Sequence, residues 1–284
     1  MEIRMNQSRM LRILITGVST GLGRALAEAA LAAGHAVAGT VRRQEDVAAF
    51  EALHPERARA LVLDVTQFDA AAPAVAALER DFGPIDALVN NAGYGHEGTM
   101  EESSLEELRR QFDVNVFGAV AMMKAVLPWM RRRRSGRILN ITSMAGLVGL
   151  PGVSFYSGSK FALEGISESM DKELSSLGIR VTAVAPGSFR TDWAGRSMVR
   201  AARSIPDYDA SFDPVRKRRQ EASGQQRGDP ARAAQVLLEV LGSDSPPQHL
   251  VLGKDALKLL DAAQTQRASE RARWETVSRS TDHE

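Results

Sequence analysis

The chain has 284 residues, 44% hydrophobic and 25% charged, with a formal net charge of +1 and no cysteine. That length supports a sizeable core, as one large α/β domain or two small ones. The near-neutral charge argues against a nucleic-acid or membrane-surface partner, and the lack of cysteine excludes disulfides and thiolate metal sites.

The opening MEIRMNQSRMLRILITG places charge before a short apolar run that leads into glycines. It reads as a first strand, 11–17, and not as a signal peptide, so a cytoplasmic location is expected. Residues 22–34 follow a helical pattern that stops at Gly34. HAVAGTV (35–41), ARALVLDVT (58–66), IDALVNNAG (85–93), GRILNITS (136–143), IRVTAVAPG (179–187) and HLVLG (249–253) supply six further strands. Helical stretches lie between them near 67–82, 105–131, 155–177 and 229–242. The RRRR run at 131–134 closes one of these, where cations suit the helix dipole. No apolar run approaches the length of a membrane span. The five histidines show no ligand-like spacing, so no metal site is expected.

The strands are nearly continuous apolar runs, as when both sheet faces are covered. Their alternation with helices predicts a single α/β domain, a doubly wound parallel sheet of seven strands with helices on both faces. Two segments break the rhythm. Residues 188–228 are polar and basic with scattered aromatics, either a lid or a disordered surface loop. Residues 254–284 begin as a helix and then become strongly charged, packing on the body or on a partner chain.

The first strand runs into TGVSTGLGRAL, a strand–glycine turn–helix arrangement. Bare backbone there lets a pyrophosphate approach, and the helix start offers free N–H groups and the positive dipole end. The spacing is Gly-x-x-x-Gly-x-Gly. Later, SFYSGSKFALEG (154–165) sets Tyr156 four residues before Lys160, on one helix face. An exposed pair on a solvated face is the plain reading; an ammonium that tunes a phenol for proton transfer is the other.

Together these residues resemble the short-chain dehydrogenase/reductase family. Thr16 to Gly23 match its Thr-Gly-x-x-x-Gly-x-Gly pattern, Asn90 to Gly93 its Asn-Asn-Ala-Gly motif, and Tyr156 and Lys160 its Tyr-x-x-x-Lys. Ser143 stands thirteen residues before the tyrosine, Asn115 matches the helix asparagine, and Pro186, Gly187 and Thr191 match Pro-Gly-x-x-x-Thr. The match runs from about residue 11 to 253 and implies a Rossmann-type domain over 11–253, with a substrate lid around 188–228 and a C-terminal helical extension or tail over 254–284.

The resemblance implies hydride transfer between a nicotinamide and a carbonyl or secondary alcohol. Tyr156 is then the general acid/base, since an ordinary phenol titrates near 10 and a nearby ammonium lowers that value. Lys160 also binds the nicotinamide ribose, Ser143 donates a hydrogen bond to the substrate oxygen, and Asn115 holds a water that relays protons. Gly17, Ser19, Thr20, Gly21, Leu22 and Gly23 surround the phosphates, while Thr16 braces the first strand against the 90–93 turn. Asn91, Ala92 and Gly93 line the adenosine-ribose side. Asp64, beside Val65, meets the adenine or, as the alternative, closes a turn. Pro186, Gly187 and Thr191 meet the nicotinamide end.

An NAD enzyme usually carries an acid at the end of the second strand. Here that position is Val41, followed by Arg42 and Arg43. A guanidinium pairs with a 2′-phosphate, so NADP(H) is expected over NAD(H), with Arg42 as main ligand; the alternative is that both arginines are solvent-facing loop charges. Val18, Ser19 and Thr20 put no basic residue inside the turn. Tyr94, His96, Val148, Leu150, Phe155, Phe189 and Trp193 form the expected pocket, suited to a hydrophobic small molecule, with His96 a polar contact or a rim residue. Two other functions stay open: a dinucleotide-sensing regulatory protein, and an epimerase or dehydratase on the same scaffold. The resemblance also implies a homodimer or homotetramer formed through 105–131 and 155–177.

Overall fold

The computed structural model describes residues 9–283. In chain order its elements are β1 (Arg12–Ile15), α1 (Gly21–Ala32), β2 (Ala36–Val41), α2 (Asp46–Glu51), β3 (Ala58–Val62), α3 (Phe68–Asp81), β4 (Ala87–Asn90), β5 (Gly95–Glu97), α4 (Leu105–Phe112), α5 (Ala119–Arg133), β6 (Gly136–Ile141), α6 (Ser154–Leu174), β7 (Ile179–Pro186), β8 (Met198–Arg200), α7 (Asp209–Glu221), α8 (Pro230–Gly242), β9 (His249–Leu252) and α9 (Lys254–Arg279). Seven strands form one sheet in the order β3-β2-β1-β4-β6-β7-β9, with every neighbouring pair parallel. This is the expected single α/β domain of Rossmann type.

Alternate residues of each strand feed two different cores, as the strand period of two requires. Ile13 and Ile15 of β1, Val37 and Val41 of β2, and Leu139 and Ile141 of β6 join α1 and α8 in one core. Leu14, Ala38 and Ile138, from the same strands, join α3, α5 and α6 in the other. The chain winds to one edge through β1–β3 and then returns to build the other from β4. The reversal falls between the carboxyl ends of β1 and β4, the crevice where this topology places ligands.

Three sequence expectations change. The stretch 105–131 is not one uniform helix: a π turn over Asp113–Gly118 separates α4 from α5. By length and composition Leu105–Arg133 could cross a membrane, contrary to the reading that no run approaches a span. In the fold it lies against the sheet, with Met122, Met123, Val126 and Met130 at most 1% exposed. The strand expected over 58–66 ends at Val62, leaving Asp64 in a turn.

Residues 188–228 are built structure. They hold two 3-10 turns, Asp192–Ala194 and Pro206–Tyr208, besides β8 and α7. β8 pairs in parallel with β5, Met198 opposite Gly95 and Arg200 opposite Glu97. The fully enclosed Glu97 carboxylate meets Arg200 at 3.0 Å, Arg216 at 3.4 Å and Arg219 at 2.5 Å. Glu102 makes a second anchor: it accepts from the backbone N–H groups of Ser204 (2.6 Å) and Ile205 (2.9 Å) and pairs with Arg203. Those bonds, led by the Ser204 N–H, hold its carboxyl down to about 2. At the far end, the start of α9 packs on the body through Ala256, and Arg267 donates to the Leu147 carbonyl (2.8 Å); the rest of the helix is mostly exposed.

Candidate active site

The glycine turn crosses the end of β4. Thr16 Oγ1 accepts from the N–H groups of Asn91 and Ala92, each at 3.0 Å. The Asn91 side chain donates back to the carbonyls of Thr16 and Gly17, each at 2.9 Å. Gly17 (φ +72°) and Gly21 (φ +66°) hold the left-handed backbone that glycine adopts without strain. A methyl group on Gly23 would stand 2.3 Å from Asn91 Nδ2 and 2.4 Å from the Gly17 carbonyl. Gly23 and the Asn91 side chain thus lock the turn from behind, which corrects their expected place as direct cofactor contacts. The open face belongs to Ser19, Thr20, Gly21 and Leu22 at the start of α1.

That face fits a pyrophosphate. Thr20 makes no side-chain cap to α1, and the first turn of α1 carries no acid. Its N–H groups and positive dipole end are left to an anion. Thr191 comes up beside Gly21, its Cβ 3.8 Å from where a Gly21 Cβ would lie, so the segment after β7 closes on the same turn. Pro186 ends β7, and Gly187 is pressed against Asp255 of α9, where a side chain would meet Oδ1 at 2.3 Å. Asp255 also accepts from the Ser188 N–H (2.8 Å). No local sequence pattern marks this contact, because it joins residues 67 apart.

Asp64 Oδ1 accepts from the Thr66 N–H (2.9 Å) and hydroxyl (2.7 Å). The turn-closing alternative therefore accounts for one of its oxygens; Oδ2 makes no hydrogen bond among the described residues. Val65 is buried against Gly118 of the π turn. At the end of β2, Val41 is buried and Arg42 and Arg43 are exposed. Arg43 pairs with Glu45 (2.8 Å) and Asp46 (3.0 Å). Arg42 makes no ion pair among the described residues and is the guanidinium left for a ligand.

The β6 end and the first turns of α6 bring Ser143, Tyr156 and Lys160 together, respectively 9%, 6% and 5% exposed. The Ser143 hydroxyl accepts from the Ala145 N–H (3.1 Å) and acts on the Tyr156 phenol, lowering it against burial. Lys160 Nζ donates to the Ile141 carbonyl (2.7 Å) and lies 5.8 Å from the Tyr156 ring centroid. The phenol is not lowered as expected. Burial pushes Tyr156 up to about 12, partly offset by the Ser143 hydrogen bond. Burial also brings Lys160 down to about 8, against the opposing field of Glu164 one turn on. Loss of water sets the direction, and the Lys160 ammonium, itself buried, is turned towards the Ile141 carbonyl.

Asn115, 1% exposed, sits in the π turn. Its side chain donates to the Tyr94 carbonyl and the Ser159 hydroxyl and accepts from the Tyr94 N–H, each at 3.1 Å. It clasps the 92–94 turn to α6. Its Oδ1 and Lys160 Nζ converge on Gly93, 3.0 and 3.6 Å from where a Cβ would stand.

Around Tyr156 the wall is apolar: Ala145, Leu150, Val153 and Trp193. The Trp193 ring lies 5.0 Å from the tyrosine ring. Tyr94 joins this region through Asn115, and Val148 is tied to Met144 by its backbone. Three expected pocket residues are elsewhere. His96, 2% exposed, stacks on Phe155 at 5.1 Å and faces Glu107 at 3.4 Å, a core pair and not a rim. Phe189 packs against the α1–α8 core. Each was misplaced for the same reason: its burial is set by the 188–228 segment and by β5, which no local pattern announced.

The family model for short chain dehydrogenase matches residues 12–200. The chain is 36% identical over 265 residues to Oxidoreductase BOA17 of Botryotinia fuckeliana, covering 93% of this chain and 96% of that protein. A crystal structure of a short-chain dehydrogenase from Streptomyces avermitilis superposes with a TM-score of 0.90 at 40% identity, covering 97% of this chain and 99% of the other. NADP-bound ElxO gives a TM-score of 0.73 at 25% identity, covering 88% of this chain and 100% of the other. NAD+-bound xylitol dehydrogenase gives 0.72 at 29%, covering 85% and 96%. The glycine turn clasped to β4, the Ser143–Tyr156–Lys160 group beside it and these matches lead to one conclusion: the chain belongs to the short chain dehydrogenase family of oxidoreductases.

Proposed function

We propose that this oxidoreductase is NADP(H)-dependent and moves a hydride between the nicotinamide and a hydrophobic carbonyl or secondary alcohol, with Tyr156 as general acid/base. The observation that carries the reading is the buried Ser143–Tyr156–Lys160 group, whose Lys160 Nζ reaches Gly93 in the same turn where Ala92 meets Gly17 of the glycine turn. The dinucleotide, when bound, supplies or accepts the hydride. The N–H groups of Gly21 and Leu22, with Ser19 and Thr20, hold its phosphates. Ala92, Gly93, Asp64 and Val65 border the adenosine side, and Pro186, Gly187 and Thr191 border the nicotinamide side.

In the reducing direction a carbonyl oxygen gains negative charge. The Ser143 hydroxyl polarises it and Tyr156 gives it a proton. A phenol pushed up to about 12 holds its proton at neutral pH and yields it only to a stronger base, such as an alkoxide-like oxygen. Lys160 then re-protonates the site, aided by Asn115 and solvent. The apolar wall of Ala145, Leu150, Val153 and Trp193 supports an apolar substrate. Arg42, exposed beside a buried Val41 and without an ion pair among the described residues, supports NADP(H) over NAD(H). A cytoplasmic location belongs to the same proposal.

Fluorescence titration with NADPH and with NADH tests it. Binding of NADPH at least tenfold tighter, about 1.4 kcal/mol, is the expected result. Equal affinities overturn the Arg42 assignment, and binding of neither overturns the dinucleotide reading.

A further inference from the structure

The lid carries a cation to the glycine turn. Arg196 stands between the Asp192–Ala194 turn and β8, and its Nη2 donates to Thr20 Oγ1 at 2.9 Å. Thr20 could have capped α1, yet its side chain makes no cap bond and receives the guanidinium instead. The other neighbour of Arg196 is Asp192, at 3.6 Å, with the two side chains 60% and 65% exposed. That separation exceeds a hydrogen bond, and so exposed a pair binds weakly. A guanidinium has five donors; one neutral hydroxyl and one distant carboxylate leave most of the fork open.

Its position is specific. The Asp46 carboxyl at the start of α2 is held low first by its hydrogen bond from Arg43, and also by the charges of Arg196 and Arg42. Arg196 therefore lies near the end of β2 as well as against the glycine turn. Arg43 is engaged by Glu45 and Asp46, and the turn itself offers only Val18, Ser19 and Thr20. Among the described residues two open guanidiniums remain there, Arg42 from the sheet and Arg196 from the lid, flanking the mouth between β2 and α1.

Resting on the NADP(H) reading above, we infer that Arg196 is a second ligand for the 2′-phosphate of the dinucleotide, delivered by the lid and paired with Arg42 across that mouth. Two guanidiniums match a dianion that either alone half-neutralises. Arg196 is three residues beyond Trp193, whose ring covers Tyr156. Gripping the phosphate thus fixes the same short segment that walls the substrate site, and cofactor loading prepares that wall.

The test is direct binding to wild type, Arg196→Ala and Arg196→Gln, each first checked for an unchanged melting temperature. NADPH and NADH are titrated by fluorescence, and adenosine 2′,5′-bisphosphate and 5′-AMP by displacement. Both variants should lose about tenfold for NADPH and for the bisphosphate, the scale of one charge-assisted hydrogen bond. NADH and 5′-AMP should change by less than about twofold. Equal loss for NADPH and NADH would move the guanidinium to the pyrophosphate and overturn the inference. A wild-type NADPH preference retained in both variants overturns Arg196 while leaving the cofactor reading intact. A wild type with no NADPH preference overturns both.

Discussion

At the scale of single residues, the proposed chemistry rests on one hydroxyl group, that of Tyr156. Tyr156→Phe keeps the ring, its packing on Trp193 and the apolar wall, and removes only the proton donor. Turnover should fall by about a thousandfold, within the range of general acid catalysis, while NADPH affinity and the melting temperature stay near wild type. Steady-state rates with a carbonyl substrate, beside a dinucleotide titration, check this; a variant retaining a tenth of the activity would remove Tyr156 from its role. The identity of this residue was legible because four-residue spacing survives in any helix. Its proton affinity was not legible. It is set by loss of water, and the groups that exclude water come from β6, the 144–150 segment and a lid side chain 37 positions away. For the same reason sequence placed Gly23 and the Asn91 side chain against a ligand, although they hold the turn from behind: a motif fixes which residues meet, not which side of the backbone they face.

At the scale of elements, the sheet was readable and the internal build of the 188–228 segment was not. The strands of a covered parallel sheet announce themselves as apolar runs, and the glycine turn marks where the first of them ends. β5, β8 and α7 carry no such pattern; they are held by charges that only the folded chain brings together. Glu97, with three guanidiniums around an enclosed carboxylate, is the bolt. Glu97→Gln leaves those three cations without their counter-charge and should cost about 3 kcal/mol of stability, at the lower end for breaking a buried ion pair. Hydrogen exchange should accelerate over 198–221 and not over β1, β4 or β6. Uniform acceleration, or none, would show that Glu97 does not hold the lid.

At the scale of the whole molecule, one exposed face asks for company. Phe117 is 52% exposed and Phe68 41%, their rings 6.3 Å apart, and Leu108 and Phe112 line a cleft with Phe117 along α4 and the π turn. Exposed apolar area of this kind marks association, which supports the proposed homodimer or homotetramer through α4, α5 and α6. Light scattering on wild type should give a multiple of the 30.8 kDa chain mass, and Phe117→Glu should shift it towards one copy; a monomeric wild type would end that proposal. The π turn beneath this face has a consequence of its own. A π turn closes on five residues where an α turn closes on four, so it takes up one extra residue locally while α4 and α5 keep their phase. Deleting one residue within 113–118 would restore an uninterrupted α-helix with α4 and α5 still facing the same way, and would remove the widened turn in which Asn115 sits. The clasp that Asn115 makes to Tyr94 and Ser159 thus depends on a surplus residue that the rest of the helix does not register.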